Sequence, residues 1–268
     1  MQTQDNVFAE AIAQLYDSIL GPFMFEPFAL EMAARLAGVG GDVLEVAAGT
    51  GIVTRALDRA LAPDARITAT DLNPPMLRVA AARLSSPRVS WRQADALDLP
   101  FADQSFDAVV CQFGVMFYPD QTAGHAQAAR VLRPGGRYLF SVWDSLAGNP
   151  VAEAVNQAVG AVFPEAPPQF FARTPHGHFD PDAHRERLAE AGLRDIAVET
   201  VTLEAGRLTA DKLAIGFCQG TPLRGEIEAR GGPGLAAVTG AVAAALTARF
   251  GDGPVASTIR ALVVTARR

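Results

Sequence analysis

The sequence predicts an α/β fold, a mostly parallel sheet with helices on both faces, and three observations predict it. Short apolar runs of strand length alternate with segments of helical periodicity from Asp42 to Trp143, the pattern of right-handed strand-helix-strand crossovers. Hydrophobic residues make up 49% of the 268 residues and charged ones 19%, enough to bury a large core and too apolar for a disordered chain. The first strand also runs directly into a turn of small residues, Ala47-Ala48-Gly49-Thr50-Gly51, that opens a helix.

Each element follows from periodicity and punctuation. Residues 6–37 read as two helices broken at Gly21-Pro22. The first carries Phe8, Ile12, Leu15 and Ile19 at helical spacing, the second Phe28, Met32 and Leu36. Gly38 to Gly41 end that pattern. Strands then fall at 42–46, 66–71, 88–93, 106–113 and 137–143, with helices at 53–61, 75–84 and 121–132 between them. The alternation breaks at 145–181, a stretch rich in Pro, Phe and His with one helix near 151–162. A helix at 181–191, a strand at 196–203, a mostly helical stretch at 209–250 and a strand at 259–265 complete seven strands.

Charge and cysteine usage exclude several functions. A formal net charge of −6 with no basic run repels phosphate backbones and argues against nucleic acid as a partner. The two cysteines, Cys111 and Cys218, stand among apolar residues and form no Cys-x-x-Cys pair, so a reducing cytoplasm is the expected location. The first ten residues have no signal-peptide core, and no apolar run reaches the about 18 residues of a membrane span, so no membrane partner is expected.

The motif with most chemical content begins in the first strand. Val43-Leu44-Glu45-Val46 delivers the chain to the glycine turn. The absence of side chains at Gly49 and Gly51 lets a ligand touch the backbone, and the next helix presents its free N–H groups there. Asp71 closes the second strand, where a carboxylate in this architecture bonds both hydroxyls of a ribose. A nicotinamide site would share these features, and a lone Gly-x-Gly is weak evidence because tight turns favour glycine. Glu45 decides between them: a carboxylate beside the glycine turn repels a pyrophosphate and suits a ligand carrying an ammonium and a sulfonium. Adenosylmethionine is such a ligand. Removing the Asp71 carboxylate is expected to weaken its binding and leave folding almost unchanged.

Further segments make the chain similar to a known family. Leu44-Glu45 with Gly49-Thr50-Gly51, Thr70-Asp71-Leu72-Asn73 with Pro74-Pro75-Met76-Leu77, Ala94-Asp95-Ala96 with Leu99-Pro100-Phe101, Ser105-Phe106-Asp107, and Leu132-Arg133-Pro134-Gly135-Gly136 together resemble class I S-adenosylmethionine-dependent methyltransferases. The likeness is greatest to the group of the ubiquinone/menaquinone C-methyltransferases, and it covers 42–143 closely. It implies a Rossmann-like sheet of seven strands with the last antiparallel. It also implies that Asp95 receives the adenine amino group beside the Ala96 backbone, and that Leu72 and Met76 pack on adenine or ribose. Gln112 and Phe113 would lie beneath the methionine portion. S-adenosylmethionine is the implied cofactor, S-adenosylhomocysteine its product, and no metal is required. Ala47 departs from the pattern, since the family places its first glycine there; a main-chain contact to the ligand remains available. Residues 1–268 are then one methyltransferase domain: 1–40 a helical cover, 42–143 the cofactor-binding core, and 145–181 and 207–258 insertions over the substrate side.

Other patterns carry less. Asn73-Pro74-Pro75-Met76 looks like the Asn-Pro-Pro-aromatic box of amide- and adenine-directed methyltransferases, but follows the wrong strand and lacks the aromatic; a helix cap explains it. Asp95 can equally cap a short turn, and Arg133-Pro134-Gly135-Gly136 reads as a structural turn. Cys111 lacks the following proline of cytosine-directed enzymes and reads as a buried thiol. His176, His178, Asp180 and Asp182 can be drawn as a metal site but have no placed third ligand.

At the acceptor end, ten of the fifteen phenylalanines fall in the N-terminal helices, the 113–118 loop and 145–181. Phe25, Phe113, Phe117, Tyr118, Phe170 and Phe171 are the expected lining for a small, apolar acceptor; any one of them can instead belong to a lid's own core. Candidate bases are Tyr16, Tyr118, His176 and His178, with His178 the first choice and Tyr16 next. The expected function is methyl transfer to an O, N or C atom of a small metabolite, by a monomer or homodimer. Two other readings stay open at this point, a nicotinamide-dependent oxidoreductase and a non-catalytic adenosylmethionine binder.

Overall fold

A computed structural model describes residues 10–268. The start of the first expected helix, with Phe8, lies outside the described residues. Helix α1 (Glu10–Leu15) passes without a break into a π-helical segment (Tyr16–Phe25) and then into α2 (Glu26–Arg35). The break expected at Gly21-Pro22 is therefore absent. Proline lacks an N–H and its ring collides with the carbonyl four residues back in an α-helix. Widening to π geometry, seen in the Glu26 N–H donating to the Gly21 carbonyl, absorbs both problems and keeps the helix going.

The alternation from Asp42 onward forms β1 (Asp42–Val46), α3 (Ile52–Ala60), β2 (Arg66–Asp71), α4 (Pro74–Arg83), β3 (Val89–Gln93), β4 (Phe106–Gln112), α5 (Gln121–Val131) and β5 (Leu132–Trp143). Then come α6 (Pro150–Val162), α7 (Phe170–Arg173), α8 (Pro181–Glu190), β6 (Arg194–Glu204), α9 (Ala210–Gln219), α10 (Leu223–Arg230), α11 (Leu235–Phe250) and β7 (Thr258–Arg267). The seven strands form one sheet in the order β3-β2-β1-β4-β5-β7-β6. β1, β2, β3, β4 and β5 are parallel, and β7 runs antiparallel to β5, pairing Arg137 with Arg267 and Trp143 with Ala261. The order reverses between β1 and β4, the switch point at which open α/β sheets bind ligands beyond the strands' carboxyl ends.

The chain folds into two compact units. The sheet unit comprises Phe28–Trp143, Phe179–Val201 and Ala261–Arg268. Its central strands are apolar on both faces, as helices on either side require: Val43, Leu44, Ala108, Val109, Val110 and Val142 are all fully buried. At the edge where the strands begin, Asp107 accepts the Asp42 N–H at 2.8 Å and pairs with Arg133, whose second nitrogen reaches Asp42 at 3.1 Å. Arg133-Pro134-Gly135-Gly136 forms a bulge at the start of β5, where the pairing steps from Phe106–Leu132 to Ala108–Arg137. β5 thus starts earlier than periodicity indicated, and Ser105-Phe106-Asp107 and Leu132–Gly136 are tied to each other far from the glycine turn.

The helical unit comprises the described residues up to Pro27, Asp144–His178 and Thr202–Arg260. Gly216 on α9 lets that helix sit against Ile19 and Leu20, whose carbons would approach a Cβ there to 2.7–2.9 Å. Leu213, Phe217, Val238, Val242, Leu246 and Val155 close its core. Among the described residues no single helix is long and apolar enough to cross a membrane.

Candidate active site

The glycine turn gathers the cofactor candidates at the carboxyl ends of β1 and β2. Ala47, Gly49 and Gly51 all adopt positive φ, at 56°, 56° and 76°. Glycine does so without cost, whereas an L-residue with a Cβ loses about 1–2 kcal/mol, so Ala47 is held there by its surroundings. Gly114, just past β4, explains how: a Cβ on it would come within 2.5 Å of the Ala47 methyl and 2.6 Å of Cys111 Sγ. The bare Gly114 backbone is the space the Ala47 methyl occupies, so the departure from the family's first glycine is compensated locally. Among the described residues other than Gly49 and its chain neighbours, no atom lies within 4 Å of where a Cβ on Gly49 would stand, which leaves its backbone open to a ligand.

Two buried carboxyls flank this turn. Asp71 accepts the Gly49 N–H through Oδ2 and the Asn73 N–H through Oδ1, both at 2.8 Å, with the Asn73 amide a third donor at 3.3 Å. Burial raises its pKa above the usual carboxylate value and the three donors oppose that rise. Asp71 therefore shapes the glycine turn, and these bonds point to an effect of its removal on folding that the sequence alone does not suggest. Asn73 occupies the cap position of α4 but turns its amide to Asp71 instead of a helix N–H. Glu45 is 1% exposed, and among the described residues its Oε2 has no hydrogen-bond partner. Loss of water pushes Glu45 up to about 8; the nearby Asp71 adds to the rise, and Thr54 and Arg55 on α3 partly offset it.

The remaining cofactor candidates are placed as follows. Thr50 is buried in the turn. Met76 is buried on α4, and Leu72 is half-buried between β2 and α4. Asp95 is exposed and its Oδ1 accepts the Leu97 N–H at 2.9 Å, the turn-capping role, with Ala96 inside that turn. Gln112 ends β4 in register with Ser141 on β5. Sequence reasoning missed Thr54, which faces Glu45, and Asn73, which donates to Asp71. Thr54 is a fully buried hydroxyl residue on α3, where it does not stand out; Asn73 reads as a cap.

Phe113 also has positive φ, 54°, an uncommon state for a bulky residue. Its ring stacks on Trp143 at 3.7 Å and meets Phe28 edge-on at 5.4 Å. Phe117 is half-buried in the short turn after it. The Tyr118 hydroxyl lies 3.3 Å from Cys111 Sγ. Burial raises the Tyr118 phenol well above its usual range and lifts Cys111 to about 11, so neither is suited to take a proton near neutrality.

Tyr16, Phe25, Phe170, Phe171 and His178 belong to the helical unit. Tyr16 stacks on Phe25 at 4.4 Å within the π-helical segment. Phe170 and Phe171 are 2% and 4% exposed; they pack on each other, and Phe171 meets Phe217 edge-on at 5.7 Å. Those two rings sit in the core of their own unit, the alternative the sequence left level with acceptor lining. His176 is buried with Nδ1 at 2.6 Å from the Asp144 carbonyl, and burial lowers it to about 4; it fixes the segment and is a poor base. His178 is half-buried. The other members of the drawn metal set have separate tasks. Asp180 caps α8 through the Asp182 N–H at 2.9 Å, and the Asp182 side chain pairs with Arg185 at 2.6 Å. Among the described residues no group of three or more His, Cys, Asp or Glu side chains gathers as metal ligands. A cavity of about 320 Å³ lined by Arg35, Tyr138, Asp195 and Arg267 lies elsewhere in the sheet unit and includes none of the site candidates.

A carboxylate pair around an open glycine turn at the switch point of a seven-stranded sheet defines a class of nucleoside-cofactor enzymes, and comparison with known proteins narrows it. Residues 43–136 match the family described as methyltransferase domain. The ubiquinone/menaquinone biosynthesis C-methyltransferase of Pseudomonas aeruginosa is 30% identical over 183 residues, 63% of this chain and 72% of that protein. The chain belongs to the class I S-adenosylmethionine-dependent methyltransferases and is related to those C-methyltransferases. The fold is shared with phosphoethanolamine N-methyltransferase 2 of Haemonchus contortus in complex with S-adenosyl-L-methionine. The TM-score is 0.63 at 19% identity, covering 97% of this chain and 57% of the worm chain, so this protein spans little more than half of that enzyme. The [4+2]-cyclase SpnF has the same fold, with a TM-score of 0.60 at 18% identity over 97% of this chain and 93% of the cyclase.

Proposed function

We propose that this methyltransferase alkylates an O, N or C atom of a small, largely apolar metabolite. The observation that carries the cofactor side is the buried Glu45 carboxyl next to an open glycine backbone, with Asp71 at the end of the neighbouring strand. Glu45 and the glycine turn would hold the methionine portion, Asp71 the ribose, and Asp95 with Ala96, Leu72 and Met76 the adenine. Bound adenosylmethionine supplies a methyl carbon activated by a sulfonium leaving group. The residues around it then have three tasks: to hold the acceptor in line, to exclude water, and to accept a proton where the acceptor carries one. Positioning contributes about 7–11 kcal/mol in such reactions, and a base roughly 10²–10⁴-fold.

For the acceptor, Phe113 and Phe117 at the end of β4 supply apolar surface. His178 is the proposed base, and Tyr16 is the second candidate. His178 is favoured because His176 is committed to a backbone carbonyl and Tyr118 to Cys111. Extracts offered with adenosylmethionine and scanned by mass spectrometry for a gain of one CH₂ identify the acceptor. With that acceptor, His178→Ala is expected to lower kcat about 10²-fold or more with a shifted pH profile and an unchanged adenosylmethionine Kd. Parental turnover by His178→Ala would remove it from the mechanism and leave Tyr16→Phe as the variant to measure.

A further inference from the structure

Glu45 has a consequence beyond holding a cofactor, and the inference rests on the cofactor reading above. The residues around it leave its negative charge poorly supported. From β2 it faces Asp71, a second buried carboxyl already holding three donors. From α3 it faces the Thr54 hydroxyl and, at longer range, the Arg55 guanidinium, whose Nη1 donates to the Thr50 carbonyl at 3.0 Å. From β4 it faces Cys111, a neutral thiol. Among the described residues no ion pair to Glu45 is formed, its Oε2 accepts no hydrogen bond, and 1% of the residue is exposed to water. An ionised carboxylate in such a place is expensive, and two adjacent buried carboxyls do not both hold full charge without a cation between them.

The residues fit adenosylmethionine on two counts: an unpartnered buried acid oxygen, and the open space over Gly49. We propose that Glu45 is protonated in the cofactor-free protein and exchanges that proton for the cofactor's positive charge, so that loading with adenosylmethionine releases one proton. The O–H bond of the Glu45 carboxyl breaks, its electron pair stays on the carboxylate, and the proton passes to buffer. Burial that lifts Glu45 to about 8 places this exchange in the neutral range. Because the ligand binds the deprotonated form, affinity rises with pH and levels off once the free protein is already ionised. Below that point the rise is about tenfold per pH unit, the limit for one linked proton.

The test is calorimetric titration of the whole protein with adenosylmethionine at pH 7 in two buffers of very different ionisation enthalpy, with Kd measured also at pH 6 and pH 8. We expect close to one proton released per cofactor bound, and a Kd that tightens several-fold or more from pH 6 to pH 8. Glu45→Gln, an isostere of the protonated side chain, is expected to release none and to show a flat Kd over that range. Asp71→Asn weakens binding but keeps the release. Cofactor that binds the parent with no proton release and a constant Kd overturns the inference while leaving the methyltransferase reading intact. Release that persists in Glu45→Gln overturns the assignment to Glu45. If Glu45→Gln does not fold, the two-buffer measurement on the parent alone decides. Absence of any binding would instead sink the cofactor reading itself.

Discussion

Asp71→Ala is expected to weaken adenosylmethionine binding by at least tenfold and to lower the melting temperature of the cofactor-free protein. The first effect follows from losing charge-assisted hydrogen bonds to a ribose, each worth about 1.5–3 kcal/mol. The second follows from bonds the protein makes to itself. Oδ2 takes the Gly49 N–H and Oδ1 the Asn73 N–H, so the carboxylate pins the glycine turn to the start of α4. Truncation frees two backbone donors in a site that water barely reaches. Asp71→Asn separates the two effects, because one amide oxygen can still receive a turn N–H while the charge is gone. Unchanged affinity in both variants would mean that the ribose is held elsewhere.

The largest effect on stability is expected from Asn149→Ala. Asn149 is 3% exposed, between β5 and α6 in sequence. Its amide nitrogen donates to the carbonyls of Asp144, Ser145 and Arg260 at 3.3, 3.1 and 3.0 Å, and its oxygen accepts the Arg260 N–H at 2.9 Å. Beside it Asp144 pairs with Arg260 and receives His176 on its carbonyl. One side chain thus closes the backbone hydrogen bonding of a stretch that has no regular partner of its own. Leaving buried donors and acceptors unmade costs about 1–3 kcal/mol each. The loss is expected to be on the order of 3 kcal/mol, a fall in Tm of roughly 6–12 °C for a chain of this size. A thermal melt that moves by less than a degree or two would show that water replaces the amide.

How much of this was legible in the sequence differs sharply between the two units. In the sheet unit, every strand from Asp42 to Trp143 was readable because each run is bounded by turn residues and, except between β3 and β4, is separated from the next by a helix. Glu45, Gly49, Gly51 and Asp71 stood out because their chemistry is unusual at strand ends. What was not readable is cooperation across strands. The Ala47 methyl needs Gly114, 67 positions away in sequence, and no local pattern links them. Thr54 escaped for the same reason: the Glu45 carboxyl it faces lies on another element, and a threonine on a helix looks like any other. In the helical unit the helices were legible, but the side-chain roles were not. Gly21-Pro22 signals a break, and only packing of the flanking turns reveals a π-helix that accommodates it. Phe170 and Phe171 were equally good as lid core or acceptor lining, and a core position is where their rings are found. His176 and His178 are two residues apart, yet one is bound to a carbonyl and buried while the other is not fully enclosed.

The central claim is that the glycine turn with Glu45 and Asp71 holds a cationic nucleoside cofactor and not a dinucleotide. Titration of the purified protein with adenosylmethionine, adenosylhomocysteine, NAD and NADP under one set of conditions tests it most directly. Saturable binding of the first two, with no detectable heat from either dinucleotide, is the predicted result. Saturable binding of NAD or NADP without binding of adenosylmethionine would contradict the account.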